Sequence, residues 1–428
     1  MSVDFVAGLT ERGLVSQVTD PELRELMLRE RVTAYIGFDP TAASLHVGSL
    51  LPILQLVRLQ QAGHRPIAIA GGGTGLIGDP SGKQSERPML TEAKLAENLE
   101  GIRSQLERFL DFSGENGALL VNNADWLCSL NLVAFLRDIG KHFSVNAMVA
   151  RDSVKNRLES REQGISYTEF SYSLLQAFDF LELYDRHGCR LQMGGSDQWG
   201  NIVAGPDLIR RLRGATAYGL TNPLVTRADG SKFGKSEAGN VWLDAELTSP
   251  FEFYQFWLNT TDADAGRYLR YFTFLPLAEL AELDHAVAEK PQERAAQHRL
   301  AAEVTRLVHG ATALARAQHT TEVLFEGREL AELSPEQMAE AFASWDSTEL
   351  PASALGTPQA SLAGLLAASQ LVPSKGQART AIASGGVYLN NRRIDDPAYL
   401  VAEADVLAGR FVVLRRGKKS YHVVKVLR

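Results

Sequence analysis

The fold of the first half of the chain is decided by the stretch Asp39-Pro40-Thr41-Ala42-Ala43-Ser44-Leu45-His46-Val47-Gly48-Ser49, which lies between two apolar runs. The run before it, residues 33–38, is typical of a buried β-strand. The run after it, from about Gly48 to Gln61, is typical of a helix that ends at Gly63. A strand that passes through a short loop into a helix is the repeating unit of a parallel α/β sheet. We call residues 39–49 the first motif.

Strand-like and helix-like runs continue to alternate over the first two-thirds of the chain. A helix is expected after Leu90, and further short apolar strands are predicted at residues 66–70, 119–122, 189–193 and 220–226. This alternation predicts an α/β fold with a Rossmann-like parallel sheet. Since ligands of such sheets bind at the carboxyl ends of the strands, the first motif is expected to border a binding site.

The remainder of the chain has a different pattern. Strand signals fade from about residue 249, and a basic tail then combines helices near 362–369 and 374–383 with strands at 387–389 and 411–414. The predicted domains are a catalytic domain (1–226), a loop and connector (227–248), an α-helical domain (249–345), a linker rich in Ser, Pro, Thr and Gly (346–360) and a small α+β domain (361–428).

Composition limits the class of protein. A chain of 428 residues exceeds one ordinary core, and its longest apolar stretches, such as Leu50 to Leu54, are too short to span a bilayer. The N-terminus has no signal-peptide pattern, and Cys128 and Cys189 form no CxxC or Cys/His cluster. We therefore expect a soluble cytoplasmic protein with no membrane partner, no structural zinc and two buried free thiols.

The charge of the chain is unevenly distributed. Residues 361–428 contain 11 Lys and Arg against 4 Asp and Glu, whereas residues 1–360 contain 33 against 47. A basic module attached to an acidic body is typical of a domain that meets a polyanion. An ordinary solvated basic surface is the competing interpretation.

A different class of enzyme is suggested by Gly73-Thr74-Gly75-Leu76-Ile77-Gly78, which matches the GxGxxG fingerprint of dinucleotide-binding enzymes. That fingerprint should open a helix and be followed by an acidic residue at the end of a second strand. Here residues 79–82 follow at once with turn chemistry, and the acidic residues about 20 positions later lie in a helical run. A dehydrogenase is therefore the weaker alternative.

The second informative stretch, Lys232-Phe233-Gly234-Lys235-Ser236, follows the first motif after about 185 residues; we call residues 232–236 the second motif. In this order the two motifs resemble the HIGH and KMSKS signatures of class I aminoacyl-tRNA synthetases. The first motif departs from the usual form, because Ser49 stands in place of the second His. We expect activity to survive, with Ser49 acting either as a contact of ATP or as a helix N-cap.

Longer segments narrow the resemblance to one family. Residues 35–41, 75–83, 176–179 and 192–201 are similar to the tyrosyl-tRNA synthetases, and the order of motifs and the S4-like tail match their bacterial and organellar type. This resemblance implies a homodimer that activates L-tyrosine with ATP and Mg²⁺, and then transfers tyrosine to tRNA(Tyr). The helical domain would contact the anticodon stem. Tyr167 falls near the expected dimer interface.

Amino-acid activation is an in-line attack of a carboxylate on the α-phosphate of ATP, so it needs orientation and positive charge rather than a nucleophilic side chain. An isolated Lys or Arg is more often a solvated charge, but four occur here in two Gly-containing loops. By resemblance, the catalytic residues are Thr41, His46, Lys83, Arg87, Lys232 and Lys235. Those expected at ATP and the adenylate are Asp39, Gly48, Ser49, Asp197, Gln198 and Lys235.

Selection of tyrosine over phenylalanine requires buried polar groups that only a phenolic hydroxyl satisfies. Tyr35 and Asp179 resemble that pair, and they also favour tyrosine over tryptophan as the substrate. By resemblance, Asp79, Tyr172 and Gln176 receive the α-ammonium group, and Gln192 lies beside them. An Asp in an aromatic helix can also serve only its protein neighbours, which is the structural alternative for Asp179.

Contacts with RNA are expected from basic residues at helical spacing and from the tail. The candidates are Arg151, Lys155, Arg210, Arg211, Lys375, Arg379, Arg392, Arg393, Lys418 and Lys419. Solvated helix faces are an equally good interpretation of the first four, and no DNA partner is expected. A non-catalytic RNA-binding relative would lose the phosphate-handling loops, which this chain retains.

Overall fold

The computed structural model describes residues 4–79, 91–150, 154–155, 158, 164–231, 233–236, 239–326, 328–343, 345–417 and 420–428. The chain forms two compact units. Unit 1 contains residues 1–247 and 261–296, and unit 2 contains residues 248–260 and 297–428. Among the described residues, no helix is long and apolar enough to cross a membrane.

Helices and strands are numbered here in chain order. The helices are α1 Phe5–Glu11, α2 Glu22–Arg29, α3 Val47–Gln61, α4 Glu92–Phe109, α5 Ala124–Leu127, α6 Leu132–Asp138, α7 Val145–Val149, α8 Tyr167–His187, α9 Trp199–Ile202, α10 Ala204–Arg213, α11 Pro250–Leu258, α12 Asp262–Phe272, α13 Leu277–Glu289, α14 Ala295–Phe325, α15 Pro335–Ala341, α16 Leu362–Ala368 and α17 Lys375–Ala383. The strands are β1 Gln17–Val18, β2 Thr33–Phe38, β3 Arg65–Ala70, β4 Leu119–Asn122, β5 Cys189–Gly195, β6 Tyr218–Asn222, β7 Lys235–Ser236, β8 Gly239–Asn240, β9 Ser347–Pro351, β10 Val387–Leu389, β11 Arg392–Ile394, β12 Phe411–Arg416 and β13 Ser420–Leu427.

Unit 1 is built on a six-stranded sheet of order β1-β6-β5-β2-β3-β4. Strands β2 to β6 are parallel, and only the two-residue β1 pairs antiparallel, with β6. Tyr35 in the central strand is in register with Ile67 on one side and Gln192 on the other. The predicted α/β class is confirmed, and the carboxyl ends of the strands converge where the site was expected.

Local sequence explains the two helices that position the site. Helix α3 has an apolar face buried against the sheet, including Leu50, Leu54 and Leu59, and burial of each such side chain stabilises the fold by about 1.5–3 kcal/mol. Helix α8 begins with a capping box between Ser166 and Glu169 and ends at Gly188, whose φ is +61°. These signals fix its start and its end.

The two cysteines have different surroundings. Cys189, at the start of strand β5, is buried as expected. Cys128 is exposed, because it lies at the end of the short helix α5 rather than within the sheet. The expectation of two buried thiols is therefore wrong for Cys128.

The segment that resembles a dinucleotide fingerprint does not open an α-helix. Thr74–Leu76 forms one 3₁₀ turn, and Gly78 then adopts a φ of +86°. A dinucleotide site needs the N-terminus of an α-helix to follow the glycines directly. The dehydrogenase alternative lacks this support.

Unit 2 contains a second sheet of order β11-β10-β12-β13-β9, in which only β9 pairs in parallel, with β13. Residues 346–360, predicted as a linker, include β9 and two 3₁₀ turns, and Leu350 is buried in the core. Their Ser, Pro and Gly content marks turns, but Thr348 and Leu350 still pair with β13 as a strand. Phe342 and Val323 share a second cluster with Phe411 and Val413, so helices and sheet have a common core.

Candidate active site

A cavity of about 420 Å³ opens at the carboxyl ends of the parallel strands of unit 1. Its walls come from strands β2 and β5, from the turns after β3, β4 and β6, and from helices α3 and α8. Ten of the predicted site residues line it: Tyr35, Asp39, Gly48, Asp79, Tyr172, Gln176, Asp179, Gln192, Asp197 and Gln198. Chain segments that are far apart in sequence therefore meet at one site.

The remaining predicted site residues are placed differently. Thr41 is exposed, while His46 and Ser49 are half-buried beside Gly48. Lys83, Arg87 and Lys232 lie outside the described residues, and for Lys235 only the backbone is described. Within the described ranges, no group of three or more His, Cys, Asp or Glu side chains is arranged to hold a metal ion.

Asp179 is the most deeply buried acid of the cavity, at 3% exposure. Its Oδ2 accepts a hydrogen bond of 2.9 Å from Asn123 Nδ2, and its Oδ1 accepts one of 2.7 Å from Trp126 Nε1. Burial raises the pKa of Asp179 to about 7, although the two hydrogen bonds act in the opposite direction. A carboxylate has about four acceptor positions, so Asp179 retains capacity for a ligand hydroxyl.

Tyr35 complements Asp179. Its ring is 2% exposed and packs edge-on against Phe180, with ring centroids 5.2 Å apart. Its hydroxyl oxygen is buried without a hydrogen-bond partner among the described residues. Burial and the nearby Asp179 carboxylate raise the pKa of Tyr35 well above its usual value. The cavity thus holds one unsatisfied hydroxyl and one acceptor with spare capacity, and a buried unpaired polar group of this kind calls for a ligand or water.

Asn123 lines the cavity and Trp126 bonds Asp179, but neither was among the predicted residues. Besides Asp179, Asn123 bonds the Gly-rich turn, since its Oδ1 accepts from the backbone N–H of Gly73 at 2.7 Å and its Nδ2 donates to Thr74 Oγ1 at 2.9 Å. Asn123 directly follows strand β4. The rule that sites lie at carboxyl ends of strands is the signal that could have identified it.

A second set of polar side chains in the cavity surrounds Asp79 and Asp197. Gln198 Nε2 donates a hydrogen bond of 2.7 Å to Asp79 Oδ2. Burial, and next the nearby Asp79 carboxylate, raise the pKa of Asp197. Gln192 Oε1 is buried and has no partner among the described residues. These side chains offer acceptors for the hydroxyl and ammonium groups of a polar ligand.

The first motif forms the start of helix α3. His46 is the N-cap, and its Nδ1 accepts a hydrogen bond of 3.0 Å from the backbone N–H of Gly48. A ring nitrogen that accepts carries no proton, so the neutral imidazole bears its proton on Nε2 and can donate from there. Ser49 is the third helical residue, so the hypothesis that Ser49 is the N-cap is wrong: His46 has that place.

The two motifs meet in space through the chain that follows the second one. Val47 N–H donates to the carbonyl of Val241 at 2.9 Å, and Val241 N–H donates to the carbonyl of Gly234 at 3.1 Å. Gly234 has a φ of +86°, and a Cβ there would lie 3.2 Å from Val47 Cγ2. The glycine of the second motif thus permits both the left-handed backbone and the close approach to the first.

The candidate RNA contacts have different surroundings. Arg210 and Arg211 both form ion pairs with Asp207, at 2.6 and 2.7 Å. Arg392 is exposed but bonds the buried Asp405 at 2.7 Å, and Lys155, Lys375, Arg379 and Arg393 are exposed as well. Arg151, Lys418 and Lys419 lie outside the described residues. Helix α17 of the tail therefore presents two exposed cations, Lys375 and Arg379, whereas Arg392 is bonded to Asp405.

A parallel α/β domain that brings these two motifs together over a polar cavity has the features of a class I aminoacyl-tRNA synthetase. The model of the family described as "tRNA synthetases class I (W and Y)" matches residues 27–326, and that of the "Tyrosine--tRNA ligase SYY-like C-terminal domain" matches residues 340–424. More narrowly, the chain belongs to the tyrosine–tRNA ligase family, as its similarity to individual relatives shows.

The relatives that match over nearly the whole chain include two tyrosine–tRNA ligases of different bacteria. The tyrosine–tRNA ligase of Roseiflexus castenholzii is 54% identical over 417 residues, which cover 97% of this chain and 98% of the relative. That of Geobacillus stearothermophilus is 52% identical over 426 residues, covering 99% and 100%. A C-terminally truncated mitochondrial tyrosyl-tRNA synthetase of Aspergillus nidulans has a similar structure, with a TM-score of 0.67, 33% identity and coverage of 75% of this chain and 94% of that one.

Proposed function

We propose that this chain activates L-tyrosine with ATP, forming tyrosyl-adenylate and pyrophosphate, and then transfers tyrosine to the 3′ end of tRNA(Tyr). One observation carries the choice of amino acid: the buried hydroxyl of Tyr35 and the carboxylate of Asp179 line the same cavity as Gly48 of the first motif. The full-length relatives are tyrosine–tRNA ligases, which supports the same reaction.

The phenol of the substrate is proposed to bind between Tyr35 and Asp179. Asp179 has acceptor capacity for a phenolic O–H, and the unpartnered Tyr35 hydroxyl would gain a partner. Phenylalanine would leave the buried Tyr35 hydroxyl without a partner and the remaining acceptor capacity of Asp179 unused, which a polar pocket penalises strongly. Such discrimination reaches about 10⁵-fold, and this enzyme family is itself the reference case for that value.

The polar groups around Asp79 are proposed to orient the rest of the adenylate. Asp79, Tyr172 and Gln176 would receive the α-ammonium group, with Gln192 beside them. Asp39, Gly48, Ser49, Asp197 and Gln198 would contact ATP and its ribose. The cavity location of all of these except Ser49 supports the assignment.

Phosphate chemistry is proposed to be carried by the two motifs and by the loop after the Gly-rich turn. His46, with its proton on Nε2, and Thr41 would hydrogen-bond the phosphates, and Lys83, Arg87, Lys232 and Lys235 would stabilise the leaving pyrophosphate. Mg²⁺ would arrive with ATP as its phosphate complex, since Mg²⁺ usually binds through substrate phosphates and one or two carboxylates.

The regions outside the sheet are proposed to bind tRNA(Tyr). Residues 249–345 would contact the anticodon stem, and residues 361–428 would hold the tRNA away from its acceptor end. The exposed Lys375 and Arg379 on α17, together with Arg393, support phosphate contacts by the tail. Arg151, Lys155, Arg210 and Arg211 would provide further phosphate contacts.

A homodimer is also proposed. Exposed apolar side chains cluster in the sequence of α6 to α8: Leu132 is 69% exposed, Val133 73%, Val145 61% and Tyr167 72%. Exposed apolar residues in such number are typical of a surface that a partner covers, and most homo-oligomers bury one self-complementary patch. We propose the cytoplasm as the compartment, where tRNA and ATP are available to a bacterial-type synthetase.

ATP–pyrophosphate exchange with each amino acid tests the proposal. Exchange with tyrosine, and none with phenylalanine or tryptophan, is the expected result. Exchange with tryptophan alone would assign the chain to the sister specificity, and no exchange with any amino acid would refute the enzyme activity. The Lys235→Ala variant should slow adenylate formation by orders of magnitude while tyrosine affinity changes little; a large loss of tyrosine affinity would show that the second motif has been misassigned.

A further inference from the structure

Helix α12 contacts both the second motif and the segment that precedes it. The Phe233 ring stacks on Phe272, with centroids 5.4 Å apart and planes 18° apart, and meets Tyr268 edge-on at 5.0 Å. At the start of the same loop, the carbonyl of Thr226 accepts hydrogen bonds from Arg267 Nη2 at 2.6 Å and from the Tyr268 hydroxyl at 3.0 Å. The position of the loop therefore depends on the position of α12.

Two arginines bind the C-terminal end of α12, next to Phe272. Arg58 Nη2 donates to the carbonyls of Tyr271 and Thr273 at 2.9 and 3.0 Å. Arg12 donates to the carbonyls of Thr273 and Leu275, at 3.3 and 2.5 Å. The last carbonyls of a helix have no partner within it and carry partial negative charge, so cationic donors at this end stabilise the helix terminus.

Placing Arg58 at this position carries a desolvation penalty, because its charged group is buried. It is nine-tenths buried, and burial, followed by the charge of Arg12, lowers its pKa to about 9. Its Nε and Nη1 are buried without hydrogen-bond partners, and none of the ion pairs within the described residues includes it. Its guanidinium lies 5.0 Å from the Phe274 ring centroid, which offsets part of the penalty. Since an apolar side chain would fill this place at lower cost, stability alone does not account for Arg58.

The location of Arg58 suggests what it does. It lies in the last turn of α3, the helix whose first residues, Val47 and Gly48, belong to the first motif. The first turn of α3 thus belongs to the proposed site of phosphate chemistry. Its last turn binds α12, against which Phe233 of the second motif packs. A rigid helix with both ends engaged can transmit position between them.

We propose that Arg58, assisted by Arg12, is a positioning residue for adenylate formation: it fixes α12 relative to α3 so that the second motif is held over the first. This inference rests on the proposed activation of tyrosine by ATP. Arg58 would act through α12 and Phe233 and would not touch the substrate itself.

The first test is the Arg58→Met variant, which removes the charge and the donors but keeps most of the apolar volume. We expect single-turnover adenylate formation to slow at least about 10-fold while tyrosine affinity, measured by equilibrium dialysis, stays within about twofold. Leu59→Val, in a neighbouring and fully buried position of α3, controls for altered packing and should leave the rate within about twofold. An unchanged rate in folded Arg58→Met would overturn the proposal.

A double-mutant cycle with Phe233→Leu distinguishes positioning from a general loss of structure. If Arg58 acts through Phe233, the double variant should be slowed less than the product of the two single effects, by at least about threefold. Effects that multiply fully would show that Arg58 acts independently of the second motif and would overturn the proposal.

Two further measurements keep the test decisive. Should Arg58→Met not fold, Arg12→Met replaces it, since Arg12 shares the Thr273 carbonyl and is only half-buried; the same slowing and the same non-additivity with Phe233→Leu are expected. The wild-type chain is assayed in parallel. Absence of tyrosine-dependent exchange in the wild type would refute the proposed function, whereas an active wild type with equally active arginine variants would refute only the positioning role.

Discussion

The imidazole of His46 lies so close to Gly48 that a Cβ on Gly48 would meet His46 Cε1 at 2.6 Å and Nδ1 at 2.8 Å. The same glycine donates its N–H to that Nδ1. Because residue 48 has no side chain, the imidazole can lie against its backbone and accept its N–H. This hydrogen bond caps α3 and leaves the proton of the neutral imidazole on Nε2.

Gly48→Ala should displace the His46 ring and weaken the cap by about 1 kcal/mol. We expect adenylate formation to slow about 10-fold or more, with tyrosine affinity nearly unchanged, because Tyr35 and Asp179 lie on other elements. Stopped-flow kinetics and equilibrium dialysis measure the two quantities. Gly8→Ala in α1, where a Cβ meets nothing within 4 Å, is the matched control. Wild-type kinetics in Gly48→Ala would contradict this account.

Tyr35→Phe should preserve the packing against Phe180 but remove the unpartnered hydroxyl. A hydrogen bond of about 0.5–1.5 kcal/mol to the substrate phenol would disappear, so the preference for tyrosine over phenylalanine should fall by roughly 2- to 13-fold. The ratio of kcat/KM values for the two amino acids in pyrophosphate exchange measures it. An unchanged ratio would place the phenol elsewhere in the cavity.

The raised pKa of Asp179, about 7 against an ordinary value of 3.8, predicts a pH-dependent stability. Between about pH 4 and 7 the native state holds a proton that the unfolded chain has released. The free energy of unfolding should therefore decrease as pH rises across this window, by up to about 1.4 kcal/mol per pH unit, and level off above it.

Asp179→Asn lacks this titration, so comparison with the wild type isolates it. Denaturant unfolding of both proteins at about pH 5, 6, 7 and 8 should show the wild type losing stability relative to the variant up to about pH 7. Parallel profiles would mean that Asp179 ionises at its ordinary pKa.

Lys375→Ala combined with Arg379→Ala should weaken tRNA binding without affecting adenylate formation. For every phosphate that the tail no longer neutralises, the slope of log affinity against log salt should fall by about 1. Filter binding at several salt concentrations measures the slope. Arg392→Ala serves as the contrast, because its bond to the buried Asp405 predicts lower thermal stability of the tail. A salt slope that does not change would exclude α17 from the RNA interface.

These charge variants are preferable to deletion of residues 361–428. Phe411, Val413 and Val423 share a core with Phe342 and Val323, so the deletion would expose buried apolar surface of unit 2. A failure of tRNA charging after deletion would then reflect unfolding as well as the removal of RNA-binding side chains. Circular dichroism of the deleted chain should show reduced helix content beyond that of the removed residues.

The sequence by itself was enough to predict the class of the fold, the approximate positions of the five parallel strands of unit 1 and ten of the residues that line the cavity. Strand β2 has the predicted bounds, Thr33–Phe38, because a short apolar run that ends at Asp-Pro has few other structures open to it. The short tail strands Val387–Leu389 and Phe411–Arg416 were likewise predictable from local pattern. Local pattern also identified both motifs, since their residue types are set by the chemistry of phosphates.

What the tertiary structure alone decided are the relationships between distant residues. Asn123 and Trp126 bond Asp179, Gly234 lies against Val47, and Arg58 binds the end of α12. These contacts join segments separated by about 50 to 215 positions. Periodicity reports only which face of an element is apolar, whereas such contacts depend on how the elements pack. The chemistry of the first motif can therefore be recognised from its sequence. Its geometry, however, depends on side chains and backbone that only the packed fold brings next to it.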